Sequence, residues 1–164
     1  ERCASIHSSD SNYKIAYETF IKSLIQQKKI PESNVHPFIY NPENTFGSLK
    51  QYDNSHIALG GKFDIILLSS GEDGHVAALF PKHNSIKNEA TRFFFFHDSP
   101  KPPKSRMTSS RNLLLKSKVG ILLFFGKEKE KAFQLFQDAN QTIQTCPAKL
   151  VSNLPEAYIF HSQD

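Results

Sequence analysis

Cysteine is scarce in this chain: its 164 residues hold two, Cys3 and Cys146. Two thiols are too few for a disulfide scaffold and lack the close spacing of a zinc site or a redox pair, so reduced thiols in the cytoplasm are expected. Long apolar runs are missing as well. None approaches the roughly 20 residues needed to cross a bilayer, which argues against a membrane role. No charged start leads into an apolar stretch and a small-residue cleavage site, as a secretory signal would. Nor is there a block of one charge. The formal net charge is +4, yet 20 basic and 16 acidic residues are interleaved, as in KEKEK at 127–131, so nucleic acid is not the expected partner. His7, His36, His56, His83, His97 and His161 form no i, i+4 pair, and no cysteine or carboxylate pattern completes a metal site. Neither a metal nor a cofactor is expected.

What is present fits one compact domain. The composition, 38% hydrophobic and 22% charged, is that of a globular chain, and a chain of this size buries roughly 70% of the surface it exposes when unfolded. The sequence opens at Glu1 with neither methionine nor polar leader. The chain is therefore expected to start within the domain.

Along the chain, Ala16, Phe20, Ile21, Leu24 and Ile25 recur at three- and four-residue spacing and predict an amphipathic helix over 11–29, capped by Asp10 or Ser11. The Pro-, Asn- and Ser-rich stretch 31–52 reads as loop with at most one short helix. FDIILL at 63–68 predicts a strand buried on both faces, and SSGEDGH at 69–75 turns it into a helix beginning near Gly74. RFFFFH at 92–97, KVGILLFFG at 118–126 and AYIFH at 157–161 predict further strands, and Ala132, Leu135 and Phe136 share one face of a helix between the last two. Strands alternating with helices imply an α/β class with a mainly parallel sheet. In such a sheet ligands bind beyond the carboxyl ends of the strands. The loops 69–75, 97–108 and 126–129 all fall at that edge.

The segment FDIILLSSGEDGHVAALFP at 63–81 carries the most chemistry. Gly71 and Gly74 allow backbone conformations and close approaches that a side chain blocks. Glu72 and Asp73 place carboxylates within reach of His75, and a carboxylate that orients an imidazole makes it a better base near neutral pH. Ser69 and Ser70 lack the GxSxG setting of a serine nucleophile, so direct attack by water is preferred. An isolated Asp-Gly-His is more often a capped turn, and the surrounding pattern is what favours a site.

That pattern resembles the GxDGHTASLFP signature of 6-phosphogluconolactonases, members of a superfamily that includes glucosamine-6-phosphate deaminases. Two more blocks resemble the same family in the same order: ERCASIHSSDSNY at 1–13, and SPKPPKSRMT at 99–108, which matches the family's SPKPPxxRxT. GKEK at 126–129 is similar to a GxxK that follows a late strand in this superfamily, with PAKLV at 147–151 beyond it. The resemblance covers nearly the whole chain. It implies a three-layer, Rossmann-like α/β fold with helices on both faces of the sheet. It also implies that residues 1–164 are the C-terminal two-thirds of a single domain, with the first strands and a phosphate-binding loop upstream of Glu1.

For this sequence the resemblance implies that His75 activates water against a lactone carbonyl, with Asp73 lining the site and orienting His75. Gly71 and Gly74 would admit the substrate, Arg2 and Asn12 would lie near the sugar, and Arg106 and Lys129 would hold the phosphate, a role suited to a planar guanidinium fork and a compact ammonium. The expected substrate is a phosphosugar lactone. Some members are fused to glucose-6-phosphate dehydrogenase, which makes that lactone. Ser69, Val76 and Ala78 stand where the family has glycine, threonine and serine, which implies a narrower loop or a hydroxyl lost from the pocket. Two alternatives stay open: a glucosamine-6-phosphate deaminase, against which SPKPPKSRMT and AALFP speak, and a catalytically silent sugar-phosphate-binding domain.

Overall fold

The computed structural model describes residues 1–163. The first amphipathic segment forms a continuous rod in three parts: α1 (Asn12–Ala16), a π-helical turn (Tyr17–Ile21) and α2 (Lys22–Gln26). Ser11 rather than Asp10 caps it, its hydroxyl accepting from the Lys14 amide at 3.2 Å. There follow α3 (Thr45–Ala58), β1 (Ile65–Ser69), α4 (Asn84–Lys87), β2 (Phe93–Phe96), β3 (Arg106–Ser109), α5 (Arg111–Leu114), β4 (Val119–Phe125), α6 (Glu130–Gln137) and β5 (Glu156–Ser162).

Helix α3, 14 residues long, begins inside the stretch read as loop. Its inner face consists of Leu49, Tyr52 and His56, which pack on a cluster of Phe38, Phe93, Met107 and Leu113 and on Phe63. One aliphatic, one phenolic and one imidazole side chain do not register as an apolar stripe, although their spacing is helical. Asn44 caps the helix by accepting from the Gly47 amide at 2.9 Å.

Strands β1, β4 and β5 form a parallel sheet in that order, Ile65 lying opposite Val119 and Val119 opposite Glu156. This is the α/β architecture expected. β2 is a strand as read, but it stands outside the parallel sheet and pairs antiparallel with β3, Phe96 opposite Arg106. The segment 97–105 between them is too short for a parallel crossover, which takes a dozen residues or more.

On one side of the sheet Ile66, Leu122 and Phe124 meet Val76, Leu79, Ala132, Leu150 and Val151 in the main core. The Phe124 ring contacts Phe133 and Phe136 of α6, at 5.3 and 5.4 Å between centroids. The other side corrects the reading of FDIILL as buried on both faces. Ile66 is 6% exposed, whereas Ile65 and Leu67, which point the opposite way by the two-residue period of a strand, are 61% and 64% exposed. Phe125, Tyr158 and Phe160 share that open face.

The helix expected near Gly74 is also corrected. Gly74 has φ +83° and Ala77 φ +51°, left-handed values that a right-handed helix cannot contain. Residues 71–80 instead make compact turns closed by a bridge between Val76 and Leu79, and the next helix is α4.

Candidate active site

The loop after β1 is built around its histidine. The Gly71 amide donates to the His75 carbonyl at 2.8 Å, and the Gly74 amide donates to the Gly71 carbonyl at 3.0 Å. The His75 ring lies so close to Gly71 that a Cβ there would sit 2.0 Å from it. Gly74 needs its positive φ, and a Cβ on it would come within 2.9 Å of Cys146 Sγ. Its carbonyl accepts from the Ala148 amide at 2.9 Å, which fastens the loop to the core.

Asp73 Oδ1 stands 2.5 Å from His75 Nδ1 and also accepts from the His75 amide at 3.3 Å. Burial pushes the Asp73 carboxyl up, but hydrogen bonds from the His75 ring and backbone and the charge of Lys101 outweigh it and hold the pKa at about 2. A carboxylate can only accept. In neutral His75 the proton therefore sits on Nδ1, and Nε2 is the basic nitrogen. Phe80, 2% exposed, lies against the same ring at 4.6 Å between centroids, and itself touches His83 and Phe96.

His75 opens onto a cavity of about 810 Å³ at the carboxyl ends of β1 and β4, whose wall includes Leu68, Ser69 and Leu123. Arg2, Lys101, Arg106 and Lys129 also line it. Arg2 and Arg106 are joined by an antiparallel bridge that adds Arg2 to the edge of the β2–β3 ribbon. Arg106 is 8% exposed and donates through Nη2 to the carbonyls of Pro102 and Lys101 at 2.6 and 3.3 Å. Arg2 donates through Nη1 to the Asp10 carbonyl at 3.2 Å. Both Nε atoms are buried without a hydrogen-bond partner among the described residues. Burial, and next the charge of Arg2, pull the Arg106 pKa below its usual value. Two adjacent guanidiniums with buried spare donors make a site for an oxyanion such as phosphate.

Of the residues singled out from the sequence, Arg2, Asn12, Gly71, His75, Arg106 and Lys129 all line this cavity. Asp73 stands behind His75 and lines an adjoining cavity of about 900 Å³ instead. Gly74 is not on the cavity wall, and its place in the loop is conformational. Of the two acidic neighbours the structure pairs Asp73 with the imidazole, while Glu72 lies on the walls of both cavities. Among the three departures from the family pattern, only Ser69 faces the cavity. Val76 and Ala78 are buried in the interior, 0% and 2% exposed, so they remove no hydroxyl from the pocket. Lys101, within the SPKPPKSR string, lines the cavity and pairs with Asp73 at 3.8 Å. Its local sequence alone does not distinguish it from Lys104.

Fold and site together define an α/β protein with a cation-lined cavity, of a kind suited to a small phosphorylated ligand, beside a carboxylate-oriented histidine. Comparison with known proteins agrees. The family model of glucosamine-6-phosphate isomerases/6-phosphogluconolactonase matches residues 1–159. A 6-phosphogluconolactonase of Borreliella burgdorferi is 30% identical over 159 residues, covering 97% of this chain and 68% of that protein. A probable 6-phosphogluconolactonase of rice, Oryza sativa, is 28% identical over 168 residues, covering 94% of this chain and 58% of its own length. The crystal structure of 6-phosphogluconolactonase from Thermotoga maritima superposes with a TM-score of 0.75 at 25% identity, over 98% of this chain and 69% of that one. The chain belongs to the glucosamine-6-phosphate isomerase/6-phosphogluconolactonase family.

Proposed function

We propose that the protein hydrolyses 6-phospho-D-glucono-1,5-lactone to 6-phospho-D-gluconate, the lactone-opening step of the pentose phosphate pathway. One observation carries the reading: a carboxylate-oriented His75 and the bridge-paired arginines Arg2 and Arg106 line a single cavity. The relatives named above are 6-phosphogluconolactonases, and SPKPPKSRMT and AALFP favour that branch over the deaminases.

The phosphate is held by Arg2 and Arg106, with Lys129 at the start of α6 as a third cation. His75 Nε2 takes a proton from water as the water oxygen bonds to the lactone carbonyl carbon and the C=O π pair moves onto the carbonyl oxygen. When that pair returns, the bond from the same carbon to the ring oxygen breaks, and the proton on His75 passes to the departing oxygen. The product is a hydroxy acid that ionises to the carboxylate. Asp73 stays anionic throughout and stabilises the imidazolium between the two proton transfers. We place the reaction in the cytoplasm, where Cys3 and Cys146, both free, would stay reduced.

The test is the disappearance of freshly prepared lactone above its spontaneous hydrolysis, with the full-length protein and its His75→Ala variant. A folded variant slower by about 100-fold or more supports general-base catalysis. Wild type no faster than buffer, or release of ammonia from glucosamine 6-phosphate in place of lactone opening, would overturn the reading.

A further inference from the structure

Of the four cations on the cavity wall, Arg2 and Arg106 are joined to each other and Lys129 stands at the start of α6. Lys101 belongs to the other end of the site. Its Nζ lies 3.8 Å from Asp73 Oδ1, the same oxygen that lies 2.5 Å from His75 Nδ1. We propose that Lys101 is a further catalytic residue: its ammonium donates a hydrogen bond to the carbonyl oxygen of the lactone and stabilises the negative charge that develops there. The proposal rests on the hydrolysis reading above and supplies the electrostatic partner that reading leaves unassigned.

The need for such a partner follows from the loop. Water attack at His75 places a new negative charge close to Asp73, held anionic, and to Glu72 on the cavity wall. In many acyl-transfer sites backbone amides take that charge. Here the amides of Gly71, Gly74 and His75 donate to His75 O, Gly71 O and Asp73 Oδ1 within the loop itself. A side-chain cation beside the base fills the role that these amides do not.

Lys101 is suited to it. Its distance from Asp73 is longer than a charge-assisted hydrogen bond, which is about 2.7–2.9 Å, so its N–H donors are not committed to the carboxylate. The side chain is 39% exposed and so open to a ligand, while its backbone is held. The Lys101 carbonyl accepts from the buried Ser99 hydroxyl at 2.7 Å and from Arg106 Nη2 at 3.3 Å. The arginine assigned to phosphate thus fixes the backbone of the lysine assigned to the carbonyl, which sets the spacing between the two ends of the substrate. Lys101 keeps its proton through the reaction. It donates to the oxyanion as the π pair arrives and weakens its hold as the pair returns. In the product a carboxylate occupies the same place.

The experiment uses the full-length protein, Lys101→Met and Lys101→Arg, with two competitive inhibitors: 6-phosphogluconate, which carries the carboxylate, and glucitol 6-phosphate, which does not. The proposal expects Lys101→Met to lower kcat by about 100-fold or more with little change in KM, as loss of one oxyanion donor does. It also expects weaker inhibition by 6-phosphogluconate but not by glucitol 6-phosphate, and partial recovery of kcat in Lys101→Arg. A kcat retained within about threefold would overturn it, as would equal weakening of both inhibitors, which would make Lys101 a phosphate ligand. A shifted acidic limb of kcat/KM with the plateau kcat intact would also overturn it, since that marks a lysine acting only through Asp73. A wild-type protein without lactonase activity would instead bring down the hydrolysis reading itself.

Discussion

Arg2 and Arg106 pair across an antiparallel bridge with the Nε of each buried and unpartnered among the described residues. Like charges held together in this way are stabilised when an anion arrives. Arg106→Met is expected to raise KM by roughly 10- to 100-fold, the equivalent of losing one or two charge-assisted hydrogen bonds. Arg106→Lys should recover little of this, because an ammonium cannot reproduce the fork that also holds the carbonyls of Lys101 and Pro102. Steady-state kinetics on both variants would check it.

Asp73→Asn tests the orientation of the base. An amide can donate as well as accept, so it no longer requires the proton on Nδ1. The expected fall in kcat is roughly 10²- to 10⁴-fold, with KM nearly unchanged. The same carboxylate contributes a pH-dependent part of stability. Its ordinary pKa is 3.8 and its folded value about 2, so between these values the unfolded chain binds more protons. The contribution is fully present above about pH 5, is lost as pH falls through 3.8 toward 2, and is absent in Asp73→Asn. Urea melts at a series of pH values would show the two proteins converging at the acid end.

His56 gives a stability effect nearer neutrality. Its ring lies 4.7 Å from that of Phe63 and 5.2 Å from that of Phe93, and both nitrogens are buried without hydrogen-bond partners among the described residues. Burial lowers its pKa from 6.5. Asp53 opposes the shift, and Arg92 adds to it. A histidine kept neutral by folding contributes stability that is full above 6.5 and is lost as pH falls through that value toward the folded one. His56→Leu should remove this slope, so wild type and variant should draw apart in melting temperature as pH is lowered from about 7.5 to 5.5.

Gly74→Ala combines two penalties, a left-handed backbone and a Cβ 2.9 Å from Cys146 Sγ. The backbone part alone costs about 1–2 kcal/mol, a fall in Tm of roughly 2–8 °C for a chain of this size. Adding Cys146→Ala should relieve the steric part and leave the backbone part, and calorimetry on the single and double variants separates the two.

How much was legible in the sequence depended on how each residue does its work. His75 and Arg106 stood out because they sit in short strings whose residue types are fixed by chemistry. The parallel strands stood out because an apolar run between turns has few other readings. Helix α3 was hidden, since its inner face is Leu49, Tyr52 and His56 and only tertiary contact reveals the last two as core. Lys101 and Lys104 are equivalent on paper, and the path of the chain after Ser99 brings one of them to Asp73. Gly74 read as a substrate contact because a glycine beside a histidine gives the same letters whether it admits a ligand or turns the backbone. The open face of β1 was equally hidden: a strand that is apolar on both sides does not say which side its neighbours cover.

Phe80 joins the imidazole of His75 to the interior, touching His83 and Phe96 as well. The ring proposed as the base therefore shares the rigidity of the core instead of that of a surface loop. Warming that loosens this aromatic contact would blur the angle at which His75 meets water while the strands remain intact. Turnover should fade on heating before circular dichroism records any melting, which makes the enzyme's own rate the more sensitive thermometer of its interior.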